Sequence, residues 1–109
     1  MPYYPERIRR LNDEARMFFT DGTIFFTRGI ADLPTPNQAA ILERVRTFDE
    51  FTPANDPYGE HDFGSFDHNS DRIFWKIDCY DRDTQRGSPD PTDPRVSKRI
   101  LTIMLASEY

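Results

Sequence analysis

The chain has 109 residues, a formal net charge of −5, 37% apolar and 14% aromatic residues, and a single Cys. That length supports one domain around one modest core, 1–109, and leaves no room for a second. No apolar run approaches the ~18 residues of a membrane-spanning helix, the segment Met1–Arg10 lacks the apolar centre of a secretory signal, and Cys79 alone excludes an intrachain disulfide or a four-thiolate zinc site. The expectation is a cytoplasmic protein that makes no membrane contact.

Pro5 and Glu6 suit a helix start, and Ile8, Leu11, Ala15 and Phe18 follow at spacings of three and four. They predict a first helix over residues 5 to 19, with Arg7, Arg9, Arg10, Asp13, Glu14 and Arg16 outside. Asp21-Gly22 turns the chain, and the Thr, Ile and Phe of residues 23 to 28 read as a strand, Ile24 and Phe26 on one face and Phe25 on the other. Thr35-Pro36-Asn37-Gln38 has the form of a capping box. The helix it opens buries Ile41, Leu42, Val45 and Phe48 and ends before Pro53. Residues 52 to 59 read as an ordered loop.

Residues 61 to 67 and 72 to 80 predict an antiparallel hairpin joined by His68-Asn69-Ser70-Asp71. In its second strand Ile73, Trp75, Ile77 and Cys79 point to the core, and Phe74, Lys76, Asp78 and Tyr80 to the other face. Residues 81 to 93 are a polar connection. Asp93-Pro94 resembles an N-cap followed by Pro at the first helical position, predicting a third helix to about Ser107 with Val96, Ile100, Ile103 and Met104 in its stripe. The expected fold class is therefore α+β, in the order α-β-α-β-β-α, with a three-stranded, mainly antiparallel sheet packed by helices.

Charge is segregated along this order. Residues 49 to 93 hold 12 Asp and Glu against four Lys and Arg, a local balance of −8, while the remainder balances to +3. An acidic middle disfavours direct nucleic-acid binding, which needs clustered Lys and Arg. It favours a protein partner with a basic surface. Asp56, Tyr58, Glu60, Asp62, Lys76, Asp78, Tyr80 and Asp81 are the candidate protein-binding residues, the carboxylates pairing with basic side chains and the tyrosines supplying contact area. Lys76 and Asp78, two apart on a strand, are placed to pair across one face.

Glu60-His61-Asp62 is the sharpest constellation for chemistry, because imidazole and carboxylate are the ligands and acid/base groups of hydrolytic metal sites. Neighbours on a strand diverge, so Glu60 and Asp62 converge without His61, and a metal ion needs a more distant group such as His68. Glu60, His61, Asp62 and His68 thus define an alternative, a metal-dependent hydrolase, although no HExxH, EF-hand loop or paired CxxC is present. Cys79 lies with Trp75 and Ile77, where a thiol is hard to ionise. The five Gly are isolated, without nucleotide-loop spacing, and no cofactor is expected. No catalytic residue is assigned, and the balance leans away from an enzyme.

Three runs, NDPYGEHDFG (55 to 64), RIFWKIDCYD (72 to 81) and SPDPTDPRVSKRILTIMLASEY (88 to 109), resemble the bacterial family known as domain of unknown function 3768. The resemblance extends from about Arg7 to Tyr109. It implies a small protein of alphaproteobacteria, often carried on plasmids and other mobile elements, and it implies no catalytic residue. Cys79 departs from the family pattern, which has an aromatic there. The leading expectation is a non-enzymatic acidic binding protein, an inhibitor of a host or defence-system protein. A structural module in which the same face closes a homodimer is the third reading.

Overall fold

A computed structural model describes residues 3–19 and 22–109. The elements are helix α1 (Pro5–Phe18), strand β1 (Gly22–Phe26), a short helix α2 (Arg28–Ala31), helix α3 (Thr35–Arg46), strands β2 (Phe63–His68), β3 (Asp71–Tyr80) and β4 (Lys98–Leu105), and a closing 3₁₀ turn, Ala106–Glu108. The strands form one four-stranded sheet in the order β1-β4-β3-β2. β1 runs parallel to β4, and the other two pairings are antiparallel. The α+β class is as expected. The sheet, however, has four strands rather than three, and the element order differs.

The extra strand is the segment expected as a third helix. Its residues alternate in burial, with Arg99, Leu101 and Ile103 buried between the half-buried Lys98, Ile100 and Thr102. Strand wins over helix because β-branched Ile100, Thr102 and Ile103 fit a pleated surface between two neighbours. The Asp93-Pro94 pair caps nothing helical. The Asp93 Oδ1 accepts the Arg95 backbone N–H at 2.9 Å and closes a tight turn.

The hairpin forms as expected in outline, with a shorter connection than the four residues foreseen. His68 pairs with Asp71, so two residues, Asn69 and Ser70, make the turn, and Asn69 takes φ 55°. Ile73, Trp75 and Ile77 are buried as expected, and Cys79 is half-buried at the strand's end. Trp75 is fully buried, with Phe48 and Phe51 edge-on at ring-centroid distances of 5.6 and 6.1 Å. Gly64 on β2 lies directly over the indole.

Helix α1 buries a face rotated from the predicted one. Ile8, Asn12, Ala15 and Arg16 are buried, whereas Phe18 is 63% exposed. Arg16, expected outside, lies 5.0 Å from the Trp75 ring centroid and donates from Nη1 to the carbonyls of Val45 and Phe48, each at 2.9 Å. The Val45 carbonyl belongs to the last turn of α3 and that of Phe48 lies just past its end, a favourable place for a cation. The helix ends on Phe19 in a left-handed conformation, φ 57°; the expected breaker Asp21 lies outside the described residues.

Helix α3 begins one residue earlier than foreseen, with Pro34 as N-cap and no side-chain cap bond. Gln38 does not close a capping box. Its amide donates instead to the carbonyls of Ala31 (2.9 Å) and Leu33 (2.8 Å), tying α3 to α2. Ile41 and Val45 are buried, with Leu42 and Phe48 packed beside them. The helices cover one face of the sheet; the other presents Phe25, Phe63, Phe74, Lys76, Asp78 and Tyr80, with the Tyr109 ring edge-on to Phe63 and Phe74.

Candidate functional site

The loop between α3 and β2 is held by a buried carboxylate. Asp56 is 8% exposed, and its Oδ1 accepts the backbone N–H groups of Glu60 and His61, both at 3.2 Å. Those bonds keep His61 at φ 54°, a left-handed conformation that costs a residue with a Cβ about 1–2 kcal/mol. The imidazole is stacked on Phe51 at 3.6 Å between ring centroids. Its Nδ1 is 2.9 Å from Asp13 Oδ1, and its Nε2 is 3.6 Å from Asp56 Oδ2. Both nitrogens thus face carboxylates on the inner side of the loop. His61 and Phe51 form a brace between α1 and the loop, and they separate two shallow hollows of about 250 and 460 Å³.

Glu60 and Asp62, on either side of His61, turn the other way. With Asp78 and Cys79 they line a third concavity, of about 210 Å³, over Ile8, Asn12 and Ile77. That is space for several waters or one long side chain. Among the described residues no cationic side chain lines it. Burial, and then the charges of Glu60, Asp56 and Asp78, hold the Asp62 carboxyl above the usual carboxylate range. At the rim the Tyr3 hydroxyl donates to Glu60 Oε2 at 2.7 Å, and this bond, with Glu60 and Asp62 charge nearby, pushes the phenol up to about 12. Lys76 Nζ is 2.9 Å from Asp78 Oδ2, the pairing foreseen from their spacing, and that bond raises the ammonium above its ordinary range.

The floor is fixed by polar side chains that sequence reasoning missed. Asn12 donates from Nδ2 to the Glu60 carbonyl at 2.9 Å and accepts from Arg99 Nε at 2.7 Å, while Arg99 Nη2 donates to the Pro91 carbonyl at 2.6 Å. A usable signal existed. Residues 8, 12, 15 and 16 share one helical stripe as well as 8, 11, 15 and 18 do, and only the polarity of Asn12 and Arg16 argued against it.

The expected contact residues therefore divide. Glu60, Asp62 and Asp78 come together, with Lys76 tethered at the edge. Asp56 faces inward and holds backbone, so it is a brace rather than a contact. Tyr58 is 72% exposed beside the hollow on the far side of His61. Tyr80 is half-buried at the end of β3, and Asp81 Oδ1 accepts the Gln85 N–H within its own loop. Of the four residues of the metal alternative, Glu60 and Asp62 share the concavity. His61 points to Asp13 and Asp56, and His68 ends β2 with its Nε2 buried and without a hydrogen-bond partner among the described residues. Among the described residues, no group of three or more His, Cys, Asp or Glu side chains is arranged to hold a metal ion. No helix among them is long and apolar enough to cross a membrane.

No curated protein and no solved structure matches the chain. A family model, described as "Protein of unknown function (DUF3768)", matches residues 26–108. The matched span runs from the end of β1 through β4, includes Glu60, Asp62 and Asp78, and leaves out the α1 side chains that buttress them. It covers well over half of the sequence, and the chain belongs to the DUF3768 family.

Proposed function

We propose that this chain is a non-enzymatic binding protein that takes a basic side chain of a protein partner into the concavity formed by Glu60, Asp62 and Asp78. The observation that carries the reading is the acidity of that hollow: Glu60, Asp62 and Asp78 are among its lining residues, Asp78 being paired at the edge with Lys76, no cationic residue lines it among the described residues, and burial and acidic neighbours hold the Asp62 carboxyl above the usual range. A guanidinium or ammonium entering there relieves the repulsion and replaces lost hydration with charge-assisted hydrogen bonds. Tyr3, bonded to Glu60, supplies ring surface at the rim, and the negative field of residues 49 to 93 steers the approach. The setting implied by the family resemblance, bacterial mobile elements, makes a host or defence-system protein in the cytoplasm the partner of choice, with inhibition by occupancy as the outcome.

The test is affinity capture from host lysate with the wild-type chain and the Glu60→Lys, Asp62→Lys, Asp78→Lys triple variant in parallel, followed by titration of whatever the wild type alone retains. The expected result is a protein lost by the reversal. A change in its affinity of no more than about twofold, under about 0.4 kcal/mol, would sink the proposal. A melting temperature raised by manganese or zinc and returned to baseline by His61→Ala would favour the hydrolytic alternative in its place.

A further inference from the structure

The two edges of the sheet are finished differently. At the β2 edge, Asp67 places a charge in the strand, and Arg44 Nη1 donates to the Asp67 carbonyl at 3.3 Å, with the guanidinium 4.5 Å from the Phe66 ring centroid. Charge and a covering side chain are the usual means of blocking an edge. β1, at the opposite edge, reads Gly-Thr-Ile-Phe-Phe: no charge, no Pro, and an unbroken register with β4 over all five residues.

The register also fixes which backbone groups of β1 are unused. Thr27 donates its N–H to the Ile103 carbonyl, its own carbonyl accepting from Ile30 and Ala31 of α2, so by alternation Thr23 and Phe25 direct their N–H and C=O groups toward β4. Those of Ile24 and Phe26 point away from the sheet, where no further strand among the described residues pairs with them. Among the described residues, the same edge carries exposed apolar side chains beside the half-buried Ile24 and Phe26. Phe25 is 56% exposed, and Phe18 and Phe19, a few residues before the strand, are 63% and 36% exposed.

We infer that two copies of this chain associate through β1, pairing antiparallel about a two-fold axis at Ile24 to make one continuous eight-stranded sheet. The outward N–H and C=O groups of Ile24 demand an extended backbone as their partner. The strand's own sequence supplies a matching one. In this register Ile24 exchanges hydrogen bonds with Ile24 of the second copy, Thr23 lies opposite Phe25, and Gly22 lies opposite Phe26. Small stands against large at each off-axis pair, and no charge meets its like. The symmetric arrangement is isologous and therefore closes at two copies. The pairing uses neither Glu60, Asp62 nor Asp78, so it is independent of the acidic concavity.

Sedimentation velocity of the full chain over a concentration series up to about 0.1 mM tests this. The wild type is expected to show a monomer–dimer equilibrium. Thr23→Lys with Phe25→Lys sets Lys opposite Lys across the axis and is expected to weaken the dimer about tenfold or more. Thr23→Glu with Phe25→Lys sets opposite charges there and is expected to restore most of the loss. Both positions face away from the helices, and far-UV circular dichroism matching the wild type confirms that each variant is folded. A wild type that stays monomeric throughout overturns the inference, as does a dimer of equal strength in the two double variants.

Discussion

Asp62 is where the candidate site is most sensitive to pH. Its carboxyl is raised on folding, chiefly by burial and then by Glu60, so between the unfolded and folded values the native state holds more protons than the unfolded one. Stability then falls as pH rises through that window, and the penalty is complete above the folded value. Asp62→Asn removes it. The variant is expected to be more stable than wild type at neutral pH, by no more than about 1 kcal/mol because the group is partly solvated, and the advantage should vanish near pH ~3.5. Urea unfolding at the two pH values checks both the sign and the convergence.

His61 carries two opposing contributions at one position. Its ring gains the Phe51 stack and the Asp13 hydrogen bond, while its backbone sits at φ 54°. His61→Ala loses the ring interactions and keeps the strain; His61→Gly loses the same interactions and releases it. The glycine variant is expected to be the more stable of the two by about 1 kcal/mol. In a loop of ordinary conformation the order would be reversed, because glycine then costs unfolded-state entropy without return. Chemical denaturation of the pair distinguishes the cases.

Among the elements, the β2–β3 hairpin was the most legible from sequence. The run from Trp75 to Cys79 alternates apolar and polar with period two, and the turn is punctuated by Asn69. β4 was not legible because a central strand is apolar on both faces. Val96, Ile100, Leu101, Ile103, Met104 and Leu105 satisfy a helical stripe and a buried strand equally, and the Asp93-Pro94 pair tipped the balance toward helix. Only the pairing of β4 with two neighbours decides, and that is non-local information. The candidate site was half legible for a similar reason. Counting carboxylates treats each as solvent-facing, which holds for Glu60 and Asp78 but fails for the buried Asp56, whose Oδ1 is taken by two backbone N–H groups.

One contact in the hairpin has a large expected effect. A Cβ on Gly64 would lie 2.4 Å from Trp75 Nε1, and the indole is fully buried and cannot retreat. Gly64→Ala is expected to cost about 3 kcal/mol, through displacement of β2 or of the indole. A lowered urea midpoint accompanied by a red-shifted Trp75 emission is the predicted signature, Trp75 being the only tryptophan in the chain. The indole N–H, which has no hydrogen-bond partner among the described residues, already marks this as a tight place. Gly64 lets the backbone close over the ring, leaving no room for a polar partner.

At the scale of the whole molecule, the sheet is completed in an order that its chain direction does not suggest. β4 fills the gap between β1 and β3, and the Glu108 carboxylate just after it accepts from the Thr27 hydroxyl (2.6 Å) and the Gly29 N–H (2.9 Å), fastening the two ends of the fold together. Gly22 pairs with Arg99, 77 positions further along. At synthesis rates of roughly 5–20 residues per second, β1 leaves the ribosome about 4 to 15 s before its neighbour. For that interval an uncharged, phenylalanine-rich segment has no native place to go. The same lack of charge that, in the proposed dimer, opens β1 to a second copy leaves it apolar and unpaired in the nascent chain until β4 arrives.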